Sequence, residues 1–491
     1  VAGRHSAAGG RPEPSEDLPR RRDLHRPARR ARRRSSARSG ATRLLSGLLV
    51  LAAAAVLGTA AVRLLVEPSP ASTTTSAASA PPSASATTGD STSGAPSAQR
   101  AVQALLDARA AALVARDEQA WNAAVAGDAS VSPAARPALD AYRTRTRAVF
   151  DRLAPVPLGS WSWQVTGSGP ALPAQRAEQL PARSWVARTT LVWSVSGAGD
   201  DPVRRQQDLT VVPSGDGWAV ADDADGETVP DLWDLAPVSV VTSPRAVVIG
   251  TAERSELDRV AQLTTTGARA VDAVWGQGWP RSTVVEVPAD QAQMARLLGR
   301  DDDAGLDQIA AVTTGELVGG AGATRGDHVV VNPNGFGKLA PLGQQVVLTH
   351  ELTHVATRSG ATRAVPLWLS EGFADWVGYR GTGLSEQSVA ADLATQVRAG
   401  RAPQALPTPD DFDPTRTSDV GPAYSSAWLA VTALARRYGD DRVVQLYRAA
   451  STEPGDGDAD AALDAALAST LGTDRAEVVR LWRAELQELA A

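Results

Sequence analysis

The chain has 491 residues, 43% of them hydrophobic, and a net charge of −6; that is enough for two or three domains with real cores and too apolar for a wholly disordered chain. The charge is uneven: thirteen arginines stand against four acids in residues 1–43, a net of +9, which leaves −15 on the remainder. There is no cysteine, which excludes disulfides, thiolate metal sites and cysteine nucleophiles.

Residues 1–43 are expected to form a basic, disordered cytoplasmic head. Leu44 to Val62 then carries no charge, and Arg63 is followed by Leu64-Leu65-Val66, so residues 44–66 are long enough for a transmembrane helix. The arginine-rich side stays in the cytoplasm, which makes the chain a single-pass membrane protein with its bulk outside the cytoplasm. A cleavable signal peptide is the competing reading; against it stand the long charged region and an apolar core beyond the usual ~7–15 residues. The basic run could also be a nucleic-acid arm, but beside a membrane span it is more simply a topology signal, and no nucleic-acid partner is expected. Residues 67–98 are almost wholly Ser, Thr, Ala, Pro and Gly, the composition of a flexible stalk.

Residues 99–236 open with helical spacing through Val102, Leu105, Leu106, Ala110 and Leu113, followed by Trp121 and Val125. Residues 184–193 and 207–212 alternate as strands, and Gly215-Asp216-Gly217-Trp218 is the turn into another. Helices followed by a meander give an α+β accessory domain, which resembles the cone-shaped fold of the nuclear-transport-factor and ketosteroid-isomerase superfamily. The region has no histidine, and its acids, such as Asp208 and Asp222, sit in polar or turn contexts without an evident partner. A non-catalytic spacer, binding or regulatory role is expected.

From residue 237 to 491 the pattern changes. Ala246 to Ile249 and Thr283 to Val287 read as strands, Glu256 to Val274 and Asp290 to Leu298 as helices, and Asp327 to Asn332 as a strand. Everything beyond Ser425 reads as helical, with Asp474 and Glu477 offering a capping box for the last helix. Between these lie His350-Glu351-Leu352-Thr353-His354 and Glu371 within Trp368-Leu369-Ser370-Glu371-Gly372-Phe373-Ala374-Asp375-Trp376. Residues four apart on a helix share a face, so His350 and His354 can present two imidazoles to one zinc ion with Glu351 beside it. Glu371 is placed as the third ligand. Asp375, one turn on, can accept the outer ring proton of a ligand histidine. Two satisfied core histidines are the structural alternative; the helical spacing, the intervening carboxylate and the downstream Glu/Asp pair weigh against it.

These motifs, with "VVLTHELTHVA", "PLWLSEGFADWV" and "YSSAWLAVTALARRYG", resemble the gluzincin clan of zinc metallopeptidases and look closest to the small peptidase MA-like domains of bacterial envelope proteins. The resemblance spans about Ala246 to Leu489. It implies a thermolysin-like α+β domain holding one zinc ion per chain on His350, His354 and Glu371, with Glu351 as general base, Asp375 supporting a ligand histidine and Tyr424 facing the oxyanion. It also implies a peptide or protein substrate paired along an edge strand, for which Val329-Val330-Val331-Asn332 is the candidate, stopped by Pro333, although a buried central strand would be equally apolar. No histidine follows His354, so a downstream-histidine arrangement is absent and Tyr424 is the candidate in its place, with core packing of that tyrosine as the alternative. His328 is a further possibility for that role. The amine-holding Gly-x-Met-Glu-Asn motif of the clan's aminopeptidases is absent; Gly315-Glu316 shares only its Gly-Glu element, which argues against a strict aminopeptidase. The alternatives are an envelope scaffold that keeps the fold without activity and a zinc enzyme that cuts another amide, such as one in cell-wall peptides.

Overall fold

Two β-sheets, each with its own helices, give the chain an α+β architecture. The computed structural model describes residues 94–490 apart from 199–200, 319–322, 415 and 453–457. The basic head, the span over 44–66 and most of the stalk lie outside the described residues, and no helix among the described residues is long and apolar enough to cross a membrane.

The first region begins with α1 (Gly94–Val114), α2 (Glu118–Ala123) and α3 (Arg136–Arg152). α1 starts inside the stretch expected to be stalk, because the helical pattern from Val102 onward extends back over Ala95, Ser97 and Ala98. Four antiparallel strands follow in sequence order: β1 (Leu158–Ser168), β2 (Trp185–Val195), β3 (Val203–Ser214) and β4 (Gly217–Asp222). Trp161 and Trp163, two apart on β1, point to one face: Trp163 meets Trp121, Trp161 meets Trp233, and Trp233 in turn meets Trp193, with ring centroids between 4.9 and 6.1 Å apart. Asp208 and Asp222 do have partners: Arg188 binds Asp208 at 3.1 Å, and Arg145 and Arg176 reach Asp222 at 2.8 and 2.9 Å.

The second sheet holds β5 (Ser239–Ser243), β6 (Ala246–Gly250), β7 (Thr283–Val287), β8 (Ala311–Val318) and β9 (Ala323–Val331), in the order β5-β6-β7-β9-β8. β6, β7 and β9 are parallel, joined by crossovers that carry α4 (Arg254–Trp275) and α5 (Gln291–Leu297); the two outer strands pair antiparallel. Every residue of β6 and β7 is buried, as expected of parallel strands covered on both faces. β9 is not the sheet edge. Val329 pairs with both Val285 and Thr313, and Val330 with both Glu286 and Val312, so its backbone is used on both sides. Asn332 ends the strand by accepting from the N–H groups of Asn334 and Gly335. The edge role passes to β8, whose sequence lacks the period-two alternation that would have marked it.

The later helices are α6 (Pro341–Arg358), α7 (Leu367–Gly378), α8 (Gly421–Tyr438), α9 (Asp440–Thr452) and α10 (Arg475–Ala490). α6 packs between α4, the hairpin β8–β9 and α7, and α7 packs on α8. In the first turn of α10, Asp474 caps the Glu477 N–H at 3.0 Å, while the Glu477 side chain turns to Arg480 instead of completing a capping box.

β3 of the first sheet lies against β8 and β9 of the second. There Arg205 meets Asp231 at 3.2 Å and Glu286 at 3.1 Å, both acids fully buried. His328 joins them, with Nε2 at 2.9 Å from Arg205 and 3.2 Å from Glu286, and Nδ1 at 2.8 Å from the Gly326 carbonyl.

Candidate metal centre

α6 supplies His350, Glu351 and His354 from successive turns of one buried face, and α7 supplies Glu371 and Asp375. The two helices can approach because Gly378 faces the α6 backbone, where a Cβ would stand 3.1 Å from the Val346 carbonyl oxygen. On the other side of α7, Gly372 lies so close to α8 that a Cβ would stand 2.3 Å from the Ala427 carbonyl oxygen. The residue next to Glu371 is therefore held by backbone contact.

The donor atoms converge. His354 Nε2 lies 3.0 Å from His350 Nε2, His350 Nε2 lies 3.2 Å from Glu371 Oε2, and His354 Nε2 lies 3.4 Å from the same oxygen. Tetrahedral zinc with bonds of about 2.0–2.1 Å places its ligand atoms about 3.3 Å apart, so the triangle matches one face of such a site. Among the described residues, His350, His354 and Glu371 form the one group of this kind, and all three are buried. Glu371 Oε1 is also buried and has no hydrogen-bond partner. Two imidazoles and a carboxylate in this arrangement suit a borderline-soft divalent cation.

Asp375 Oδ1 lies 2.8 Å from His350 Nδ1. A carboxylate only accepts, so Nδ1 carries a proton and donates it to Asp375, which leaves Nε2 as the ring atom turned to the donor triangle. His354 Nδ1 lies 3.5 Å from Ser370 Oγ, which in turn receives the Tyr447 hydroxyl at 3.5 Å.

The local charges follow from burial and neighbours. Burial opposes a proton on His350, but the Asp375 charge and the hydrogen bonds the ring donates to Asp375 and Glu371 outweigh it and hold its pKa well above the usual imidazole value. His354 is brought down to about 4, mainly by burial. Burial would raise Glu371, yet the two histidines bring it to about 2. Burial pushes Glu351 up to about 7, a value suited to taking and returning a proton near neutral pH.

Tyr424, in the first turn of α8, is buried beside the site; its ring centroid is 6.2 Å from that of His350, and Phe412 meets it edge-on at 5.0 Å. His328 is not in this group but in the network with Arg205 and Glu286. The sequence reasoning missed Thr313 on β8, whose hydroxyl lies 2.7 Å from Glu351 Oε2 and 3.0 Å from the Glu351 carbonyl oxygen. Only the β-branched run Val312-Thr313-Thr314 signalled a strand there.

No family model and no curated protein matches the sequence. Among solved structures, the M1 zinc metallopeptidase from Deinococcus radiodurans is similar at 18% identity with a TM-score of 0.31, covering 62% of each chain. A mutant of a two-domain M1 zinc metallopeptidase bound to L-tryptophan is similar at 17% identity with a TM-score of 0.31, and a mutant of the Deinococcus radiodurans M1 zinc metallopeptidase bound to a Tyr-Ser-Ala substrate at 17% with 0.29. The chain spans 61 to 62% of the length of these proteins.

Proposed function

We propose that the protein is a zinc-dependent peptidase of the gluzincin type, anchored to the cell membrane by residues 44–66 with its catalytic region outside the cytoplasm. The observation that carries the activity is the donor triangle of His350, His354 and Glu371 at tetrahedral spacing, directly beside the buried carboxylate of Glu351. Zinc held there supplies a Lewis acid that polarises a carbonyl and makes water more acidic. Asp375 keeps the His350 ring in register by holding its Nδ1 proton. Glu351 takes a proton from the attacking water and returns it to the leaving amine. Tyr424 donates to the developing oxyanion, and the substrate strand pairs along β8, the outer strand of the second sheet that packs on α6. The first region has a non-catalytic role, holding the hairpin β8–β9 from the other side.

The test uses the full-length protein, zinc analysis and a set of internally quenched peptides. The wild type is expected to bind one zinc and cleave. Glu351→Gln is expected to keep the zinc and lose roughly 10²–10⁴-fold in rate. Absence of stoichiometric zinc would end the proposal; equal cleavage by both proteins would end the assignment of Glu351. A zinc-bound wild type that cleaves no peptide would make the protein a scaffold that retains the peptidase fold.

A further inference from the structure

The two oxygens of Glu351 stand in different surroundings. Oε2 receives the Thr313 hydroxyl at 2.7 Å, whereas Oε1 is buried with no hydrogen-bond partner. Thr313 is itself 4% exposed, and its hydroxyl also lies 3.0 Å from the Glu351 carbonyl oxygen, so one hydroxyl bridges the main chain and side chain of the same residue. Arg358, two turns further along α6, lies 3.3 Å from the Thr313 carbonyl oxygen and 3.4 Å from Asp327 on β9. The helix is thus tied to the hairpin at Glu351 and again two turns further on.

A carboxylate fixed through one oxygen has lost most of its freedom about the last torsion, and the other oxygen then points in a defined direction. A buried charged acceptor with an unused oxygen is costly unless that oxygen serves a ligand. Resting on the peptidase reading above, we infer that Thr313 is a positioning residue: it pins Glu351 through Oε2 so that Oε1 is the atom that takes and returns the proton. Because Thr313 belongs to β8, the outer strand of the sheet, the same hydroxyl sets the register between a substrate lying along that strand and the proton acceptor.

The experiment compares wild type with Thr313→Val, which keeps the shape and removes the hydroxyl, and Thr313→Ser, which keeps the hydroxyl and removes the methyl. All are full-length and assayed on the best-cleaved quenched peptide, with zinc content and thermal unfolding measured alongside. Losing a hydrogen bond to a charged group should lower kcat by roughly 10- to 100-fold in Thr313→Val while KM and zinc content hold, and Thr313→Ser should stay within about threefold of wild type. Independently of activity, isotope-edited infrared spectra of the metal-free proteins should show the Glu351 carboxylate band, identified by its absence in Glu351→Gln, shifted in Thr313→Val but not in Thr313→Ser. Full activity in Thr313→Val, or equal damage in both variants, would overturn the inference. So would loss of zinc or of the unfolding transition in Thr313→Val, which would make the hydroxyl structural. If the wild type binds zinc yet cleaves nothing, the peptidase reading fails instead, and the infrared comparison still decides whether Thr313 holds Glu351.

Discussion

Arg205→Ala is the sharpest test of how the two sheets are joined. The substitution removes the one guanidinium that reaches both Asp231 and Glu286, and both carboxylates are fully buried. Leaving a buried charge without its partner costs about 3–5 kcal/mol. A cooperative unit of roughly 400 residues has an unfolding entropy of about 0.8 kcal/mol/K, so its Tm would fall by about 4–6 °C. If the first region, roughly 140 residues, melted by itself, its transition would fall by about 10–17 °C instead. Differential scanning calorimetry at neutral pH distinguishes the two. Adding Glu286→Gln to Arg205→Met should recover part of the loss, since neutral groups of similar volume tolerate burial without a partner charge. For Glu286 the pH dependence has a definite sign. Burial opposes ionisation of Glu286, but the His328 hydrogen bond and the Arg205 charge lower its pKa below the usual 4.5. Its contribution is therefore full above that value and is lost as pH falls through the depressed folded value, whereas burial raises the Asp231 carboxyl and works in the opposite direction, so the part of the gap between wild type and Arg205→Ala that belongs to Glu286 should narrow below pH 4.5. A Tm change within about 1 °C at neutral pH, or a double variant no better than the single one, would refute the reasoning.

The metal site makes its own predictions. His350 is held protonated above the usual imidazole pKa while His354, at about 4, and Glu371, at about 2, are already deprotonated near neutral pH. Zinc binding should therefore displace protons and tighten as pH rises; titration calorimetry in buffers of different ionisation enthalpy measures it, and zero proton release would contradict it. Gly372→Ala should force α7 away from the Ala427 carbonyl, costing roughly 1–3 kcal/mol and weakening zinc binding through Glu371; unchanged stability and zinc affinity would show that the helices move apart freely.

Parts of this arrangement were legible in the sequence because they are local. Thr283-Val284-Val285-Glu286-Val287 reads as a strand from its β-branched residues alone, and it is β7. The spacing of His350 and His354 puts both on one side of α6, and the turn between Glu371 and Asp375 is likewise contained in α7. What the sequence concealed depends on pairing across distance. Val329 to Val331 are apolar enough for an edge or an inner strand, and only the return of β8 outside them decides it. Glu286 interrupts an apolar strand, but its cation is 81 residues away, in the other sheet. Thr313 is an ordinary strand residue until β8 is laid against α6.

Those separations also divide the candidate site between kinds of element. The histidines are 4 residues apart and Glu371 follows His350 by 21, whereas the hydroxyl on Glu351 comes from 38 residues upstream. Loop-closure entropy alone separates the two by only about 0.5 kcal/mol. What differs is the carrier: the three donor atoms sit on two packed helices, whereas the hydroxyl arrives with the β8–β9 hairpin, so a local opening of that hairpin would part Thr313 from Glu351 and leave the donor triangle together.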